Sequence, residues 1–241
     1  MKKIYMLMVA LMTISGCSAG RPALKGRELQ ASQIITLLNA GEHIYVDSCI
    51  IWGSLDFTKL NNRNRIADNL TQVFVNQSVT FNNCIFIDSV KAFDASGVCV
   101  EFAHNLSFTT CDFRSPVDFT ECIIQGNAFF TGAAFRKDAS WQGAHFRHKK
   151  VYFNETEFEG DALFQNAVFA GDANFLHSVF AADAMFQKAV AGGLMFFGNT
   201  RFNGYADFTY VRAAQSIFKY AEFNGRSDFS YSNLEIEDPE K

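Results

Sequence analysis

The stretch DALFQNAVFAGDANFLHSVFAADAMFQKAVAGGLMFFGNTRFNGYADF runs from Asp161 to Phe208. Phe stands at 164, 175, 186, 197 and 208, a constant step of 11. A second series, Phe169, Phe180, Ala191 and Phe202, also steps by 11 and is offset by 5, so the spacing alternates between five and six. Two residues before most large positions stands a small one: Ala162, Ala167, Ala173, Ser178, Ala184, Ala189, Thr200 and Ala206. Small inward, one residue outward, large inward is the period-2 signature of a short β segment. Gly126, Gly160, Gly171, Gly193, Gly204 and Gly225 follow large residues by two on the six-residue steps. Gly-Asp at 160–161 and 171–172 suits a turn with positive φ.

The same period extends in both directions. Toward the C-terminus, Phe208–Ala213–Phe218 is one residue short, and Phe223, Phe229 and Leu234 finish the series. Toward the N-terminus one residue is inserted between Phe146 and Phe153. The pattern then reads back from Phe146 through Trp141, Phe135, Phe130, Ile124, Phe119, Phe113 and Phe108 to Phe102. It blurs over 89–99 and returns at Phe86, Phe81 and Val75. After a polar interruption (58–74, opening TKLNNRNRIADNL) it reappears at Phe57, Ile51 and Val46. The solenoid is therefore expected over 42–234, with 58–74 as a loop excursion. Residues 28–41 carry Ile34, Ile35, Leu37 and Leu38 ahead of Gly41, which predicts a short amphipathic helix capping the first coil. Residues 17–27 read as a tether and 235–241 as an acidic tail.

Small-x-large-polar-polar, repeated in some thirty slots, resembles the motif of the pentapeptide repeat family, and the alternating five- and six-residue steps are similar to its Phe-rich members. The resemblance implies an all-β fold: a right-handed quadrilateral parallel β-helix with four faces in each 22-residue coil. Residues 22 apart should then stack. Phe164, Phe186 and Phe208 would form one internal ladder, with Phe175 and Phe197 on the opposite face. Ala191 and Ala213 occupy large slots on one face, and Met195, in a small slot, is expected to fill part of that gap.

The chain has 241 residues, 49% of them hydrophobic, and a formal net charge of −4. That balance excludes a disordered chain and a strongly basic nucleic-acid binder. No GxSxG, HExxH, phosphate loop or Cys/His metal spacing occurs, and the five His are scattered. No catalytic residue, no metal ligand and no cofactor is assigned, and an enzyme is not expected.

Residues 1–16 read as a signal peptide: Lys2 and Lys3, an apolar run from Ile4 to Ile14, then Ile14-Ser15-Gly16-Cys17. Those last four residues resemble the lipobox of bacterial lipoproteins, which implies lipid attachment at Cys17 and anchoring to a membrane. Ser18 after the Cys resembles an outer-membrane address in Gram-negative bacteria, facing the periplasm. The remaining cysteines are 49, 84, 99, 111 and 122. Cys49, Cys84, Cys111 and Cys122 fall in small core slots, no two in one ladder, and are expected reduced. Cys99 falls at a corner and is also read as reduced and unpaired, with pairing to another chain as the alternative if it is exposed. Asp138, Asp161 and Asp183 should line one corner, opposite Asp172, bonding their own turns.

The candidate interaction surface comprises Arg147, His148, Lys149 and Lys150 at the one-residue insertion, and the corner tyrosines Tyr210 and Tyr231, with Tyr220 alongside. The partners expected are the membrane through Cys17 and an envelope protein of unknown identity, with no nucleic acid. An uncovered final coil also suggests a homodimer. The function these features favour is a scaffold or interaction rod of the cell envelope. The alternative, from family members that mimic DNA and bind gyrase, requires a cytosolic chain.

Overall fold

A computed structural model describes residues 24–148 and 150–235. The backbone winds through four flat faces per coil, and each strand pairs in parallel with the strand one coil on. Ala162 lies against Ala184, and Ala184 against Ala206. Face 2 is a nine-stranded sheet running from Glu28–Gln30 to Glu222–Phe223. Face 3 has eight strands, from Leu55–Asp56 to Ser227–Asp228. Faces 1 and 4 merge into one 16-stranded sheet because Val190–Phe196 passes from face 4 into face 1 without a break. At about 4.8 Å per strand, nine strands make a rod of roughly 40 Å.

The alternating step has a local cause. The regular five-residue steps turn through a residue with positive φ, as at Asn166 (58°), His177 (59°) and Lys188 (58°). The turn closes with a backbone bond such as Ser178 N–H to Phe175 O, 3.1 Å. Six-residue steps work differently, and here the expectation of positive φ at the corner glycines fails. Gly160 and Gly204 are not among the residues with positive φ. They are glycine because the coils touch backbone to backbone: a Cβ on Gly160 would sit 2.5 Å from Asp138 N, and one on Gly204 2.4 Å from Ala182 O.

Inside, the large slots form four ladders. Phe164 stacks on Phe186 at 4.9 Å and 5°, and Phe186 on Phe208 at 5.0 Å and 5°. Phe175 and Phe197 stack in the facing ladder at 4.9 Å, and the two ladders meet edge to face, Phe164 against Phe175 at 5.3 Å and 85°. Offset-stacked and T-shaped contacts are the arrangements aromatic quadrupoles prefer. Trp141 occupies a Phe slot between Phe119 and Phe164. Its indole Nε1 is buried without a hydrogen-bond acceptor, enclosed by the rings of Phe130, Phe135 and Phe153.

Several expectations are corrected. The helix spans Ala31–Asn39, not 28–41, and Glu28–Gln30 is the first strand of face 2. The helix buries Ala31, Ile34 and Leu38, and its entry is held by Gln30 N–H donating to Gln33 Oε1, 3.1 Å. Leu24–Lys25 pairs with Val46 and Asp47, so the coil begins inside the segment read as a tether. The polar interruption is a β-hairpin, Arg63–Ala67 against Leu70–Val75. The blurred stretch is a second hairpin, Phe93–Asp94 against Val98–Phe102. The two pack side by side in parallel, Thr71–Val75 along Val98–Phe102, and form a wing at the corner between faces 3 and 4. Cys99 sits within this wing and is only 7% exposed, so it is not available to another chain. Ala191 and Ala213 stack in register as expected, and Met195 is fully buried on the same continuous strand as Ala191.

The hairpins also overturn the assignment of the cysteines to separate ladders. Each inserts residues into its coil, so Ile50 pairs with Ile85 and Ile85 with Asp112. Cys49, Cys84 and Cys111, the residues before these, therefore occupy one ladder of face 2. All five described cysteines are free and buried. Each thiol in the ladder points at a carbonyl of the preceding coil: Cys49 at Leu24 O (3.3 Å), Cys84 at Val46 O (3.7 Å) and Cys111 at Phe81 O (3.5 Å). Farther along, Thr156, Ser178 and Thr200 donate their hydroxyls to Phe130, Phe153 and Phe175 carbonyls in the same way. The slot wants a small side chain with a donor, and Cys is used as one.

Candidate functional site

The rings fill the interior, which leaves only the outer surface and the two ends for contact. Cys17 and Lys149 lie outside the described residues. Arg147 and His148 are exposed at the corner from face 4 to face 1, and Lys150 opens the face 1 strand Lys150–Tyr152. The extra residue of this coil is absorbed here: Phe146 pairs with Ile124 at a separation of 22, and Val151 with Ala128 at 23.

Tyr210 and Tyr231 come together at a different corner, between faces 3 and 4 near the C-terminal end. Their rings stack at 4.8 Å and 12°, and they are 48% and 71% exposed. Both hold positive φ, 59° and 61°, because they occupy the five-residue turn. Tyr220 does the same on the corner between faces 1 and 2, with Lys219 Nζ 5.2 Å from its ring centre. The structure thus separates the basic bulge from the tyrosines, and separates Tyr220 from the other two.

The aspartates serve the turns, but those of the next coil rather than their own. Asp138 Oδ1 accepts from Asp161 N (3.1 Å), Asp161 from Asp183 N (3.2 Å) and Asp183 from Tyr205 N (2.8 Å). On the opposite corner Asp172 accepts from Leu194 N, 2.8 Å. Each carboxylate therefore splices two coils together. Among the described residues no group of three or more His, Cys, Asp or Glu is placed to hold a metal ion.

Face 2 carries an ion network that was not anticipated from sequence. Arg136 Nε donates to Asp112 Oδ1 (2.9 Å), while its Nη1 reaches Glu157 Oε2 (3.2 Å) and Glu159 Oε1 (2.5 Å). Arg114 adds a bond to Asp112 Oδ2, 3.2 Å. The hydrogen bonds to Asp112 and Glu159 push the Arg136 guanidinium above its ordinary range. The signal for this cluster was faint: outward residues 21 to 24 apart with opposite charge.

Residues 142–190 match the family model for pentapeptide repeats, nine copies. The chain is built on the pentapeptide-repeat β-helix. The pentapeptide-repeat register seen in the matched segment continues on both sides of it, through the ladders from Val46 to Phe229. No curated protein matches the chain significantly. Among the described residues, no helix is long and apolar enough to cross a membrane.

Proposed function

We propose that the protein is a non-enzymatic, membrane-anchored pentapeptide-repeat lipoprotein that works as a rigid protein-interaction rod in the bacterial cell envelope. The observation that carries this reading is the interior. Stacked rings fill it along its length, so binding has to occur on the outer faces, corners and ends. The lipobox-like Ile14–Cys17 supports attachment through Cys17, with several acyl chains contributing about 0.8 kcal/mol per buried CH₂. Ser18 supports the periplasmic side of the outer membrane if the cell is Gram-negative. Arg147, His148, Lys149 and Lys150, and separately Tyr210 and Tyr231, are the surfaces offered to a partner.

Metabolic labelling with a palmitate analogue tests the anchor: wild-type protein takes up label and Cys17→Ser does not. Absence of label on the wild type overturns the anchoring. Cross-linking in intact cells followed by capture tests the partner, and recovery of the rod alone counts against the scaffold role. Among the described residues the last strands of faces 2 and 3 have no further neighbour, which supports a homodimer through the C-terminal coil. Light scattering of the protein lacking residues 1–17 checks it, and a strict monomer refutes it.

A further inference from the structure

One outward column of face 1 carries a stack of rings with a single member missing. Register aligns Phe129 with Tyr152, Tyr152 with Asn174, and Asn174 with Phe196. Phe129 and Tyr152 stack at 5.7 Å and 7°. At the next coil Asn174 stands where a ring would continue the column, and Phe196 follows one coil later. Tyr152 and Phe196 are thus two strands apart, about 10 Å at the spacing of a sheet. Between them opens a cavity of about 330 Å³, bounded by Lys150, Tyr152, Asp172, Asn174, Leu194 and Phe196. That size falls in the lower part of the ~300–1,000 Å³ range of small-ligand sites.

The slot has apolar walls and a polar rim. Asn174 spends its Oδ1 on Leu176 N (2.9 Å), and Asp172 its Oδ1 on Leu194 N (2.8 Å). The Asn174 amide nitrogen, the second Asp172 oxygen and the Tyr152 hydroxyl remain available. Lys150 lies in register with Asp172 and makes no ion pair among the described residues. One cation and one anion on the same edge give the slot no net charge, so it favours neither an anion nor a cation. A saturated ring with hydroxyls at its edge satisfies both features: its C–H faces lie against the Tyr152 and Phe196 rings, and its hydroxyls meet the amide, carboxylate and ammonium at the rim.

We propose that this slot binds one pyranose ring of a neutral glycan chain, sandwiched between Tyr152 and Phe196. The inference stands on face 1 alone and is independent of how the protein is anchored. Isothermal titration of the full chain with cellohexaose and with chitohexaose tests it, beside phenol as an aromatic control. At least one oligosaccharide is expected to bind, and Tyr152→Ala or Phe196→Ala to weaken it at least tenfold. The decisive variant is Asn174→Phe, which supplies the missing ring. It should leave the melting temperature unchanged or raised and abolish binding. The proposal is overturned if neither oligosaccharide binds, if only phenol binds, or if Asn174→Phe binds as the wild type does.

Discussion

A few residues show how local chemistry serves the repeat. Lys188 turns a corner at φ 58°, where an L side chain costs about 1–2 kcal/mol. Replacing it with Gly removes that strain but adds freedom to the unfolded chain, so Lys188→Gly should stabilise by about 0.5–1 kcal/mol, read from denaturant midpoints. Gly160 gives the opposite result. It lacks positive φ, yet a Cβ there would collide with Asp138 N at 2.5 Å, so Gly160→Ala should destabilise by at least about 1–3 kcal/mol. The thiols make a third case. Burial pushes Cys111 and Cys122 well above the usual thiol range, and Cys99 upward as well. Cys84 is lowered instead, chiefly by the neighbouring Cys111 thiol. None of the five is exposed. A thiol-titrating disulfide reagent should find no reactive cysteine in the described fold at pH 8 and all five in denaturant.

At the scale of elements, the ladders and the wing behave differently. A ladder Phe touches rings above, below and across, so Phe164→Ala should cost about 3–5 kcal/mol by thermal or chemical unfolding. Trp141→Phe should cost little, under about 1.5 kcal/mol, because it restores the slot's usual occupant and removes a buried N–H that has no acceptor. The wing depends on close approach of two loops. Thr71 N–H donates to Gly97 O at 2.8 Å, and a Cβ on Gly97, at φ 88°, would fall 1.9 Å from Asn69 O. Gly97→Ala should therefore separate the hairpins and open residues 61–70 to limited proteolysis while the rod stays folded.

The rod as a whole is cohesive in one direction and open in the other. Successive coils share ladder bonds, aspartate splices and ring stacks, while the helix Ala31–Asn39 covers only the first coil. At the other end the chain closes part of face 4 with a side chain: Asn233 accepts from Ala213 N (3.0 Å) and donates to Ala213 O (2.9 Å) in place of a strand. Ser216 and Glu235 repeat the device on face 1. Phe223 and Phe229 stay partly buried beside the last described strands of faces 2 and 3. This is why the proposed homodimer contact is placed at the C-terminal coil rather than in the regular middle. Outer charge is mixed, as the Arg136 cluster among Asp112, Glu157 and Glu159 shows. Exposed ion pairs of this kind contribute about 0–1 kcal/mol and weaken with salt.

By itself the sequence determined a repeat of short β segments, the slots of nearly every core residue and the places where the period slips; the four-faced β-helix was what its resemblance to pentapeptide repeats implied. It could do so because one structural unit is repeated, and each copy restates the same inward pair. The candidate surfaces were legible only as interruptions: the bulge at 147–150 and the corner tyrosines. What the tertiary structure alone decided depends on coil length. Two hairpin insertions changed which residues stack, bringing Cys49, Cys84 and Cys111 into one ladder and burying Cys99. Backbone contact between coils, not turn conformation, selected glycine at positions such as 160. Outward columns follow the same logic: Arg136 meets its carboxylates, and Asn174 interrupts a row of rings, only once each residue has a neighbour one coil away. Spacing along a chain reports what a residue faces within its own turn; neighbours across coils are set by the number of residues inserted between them.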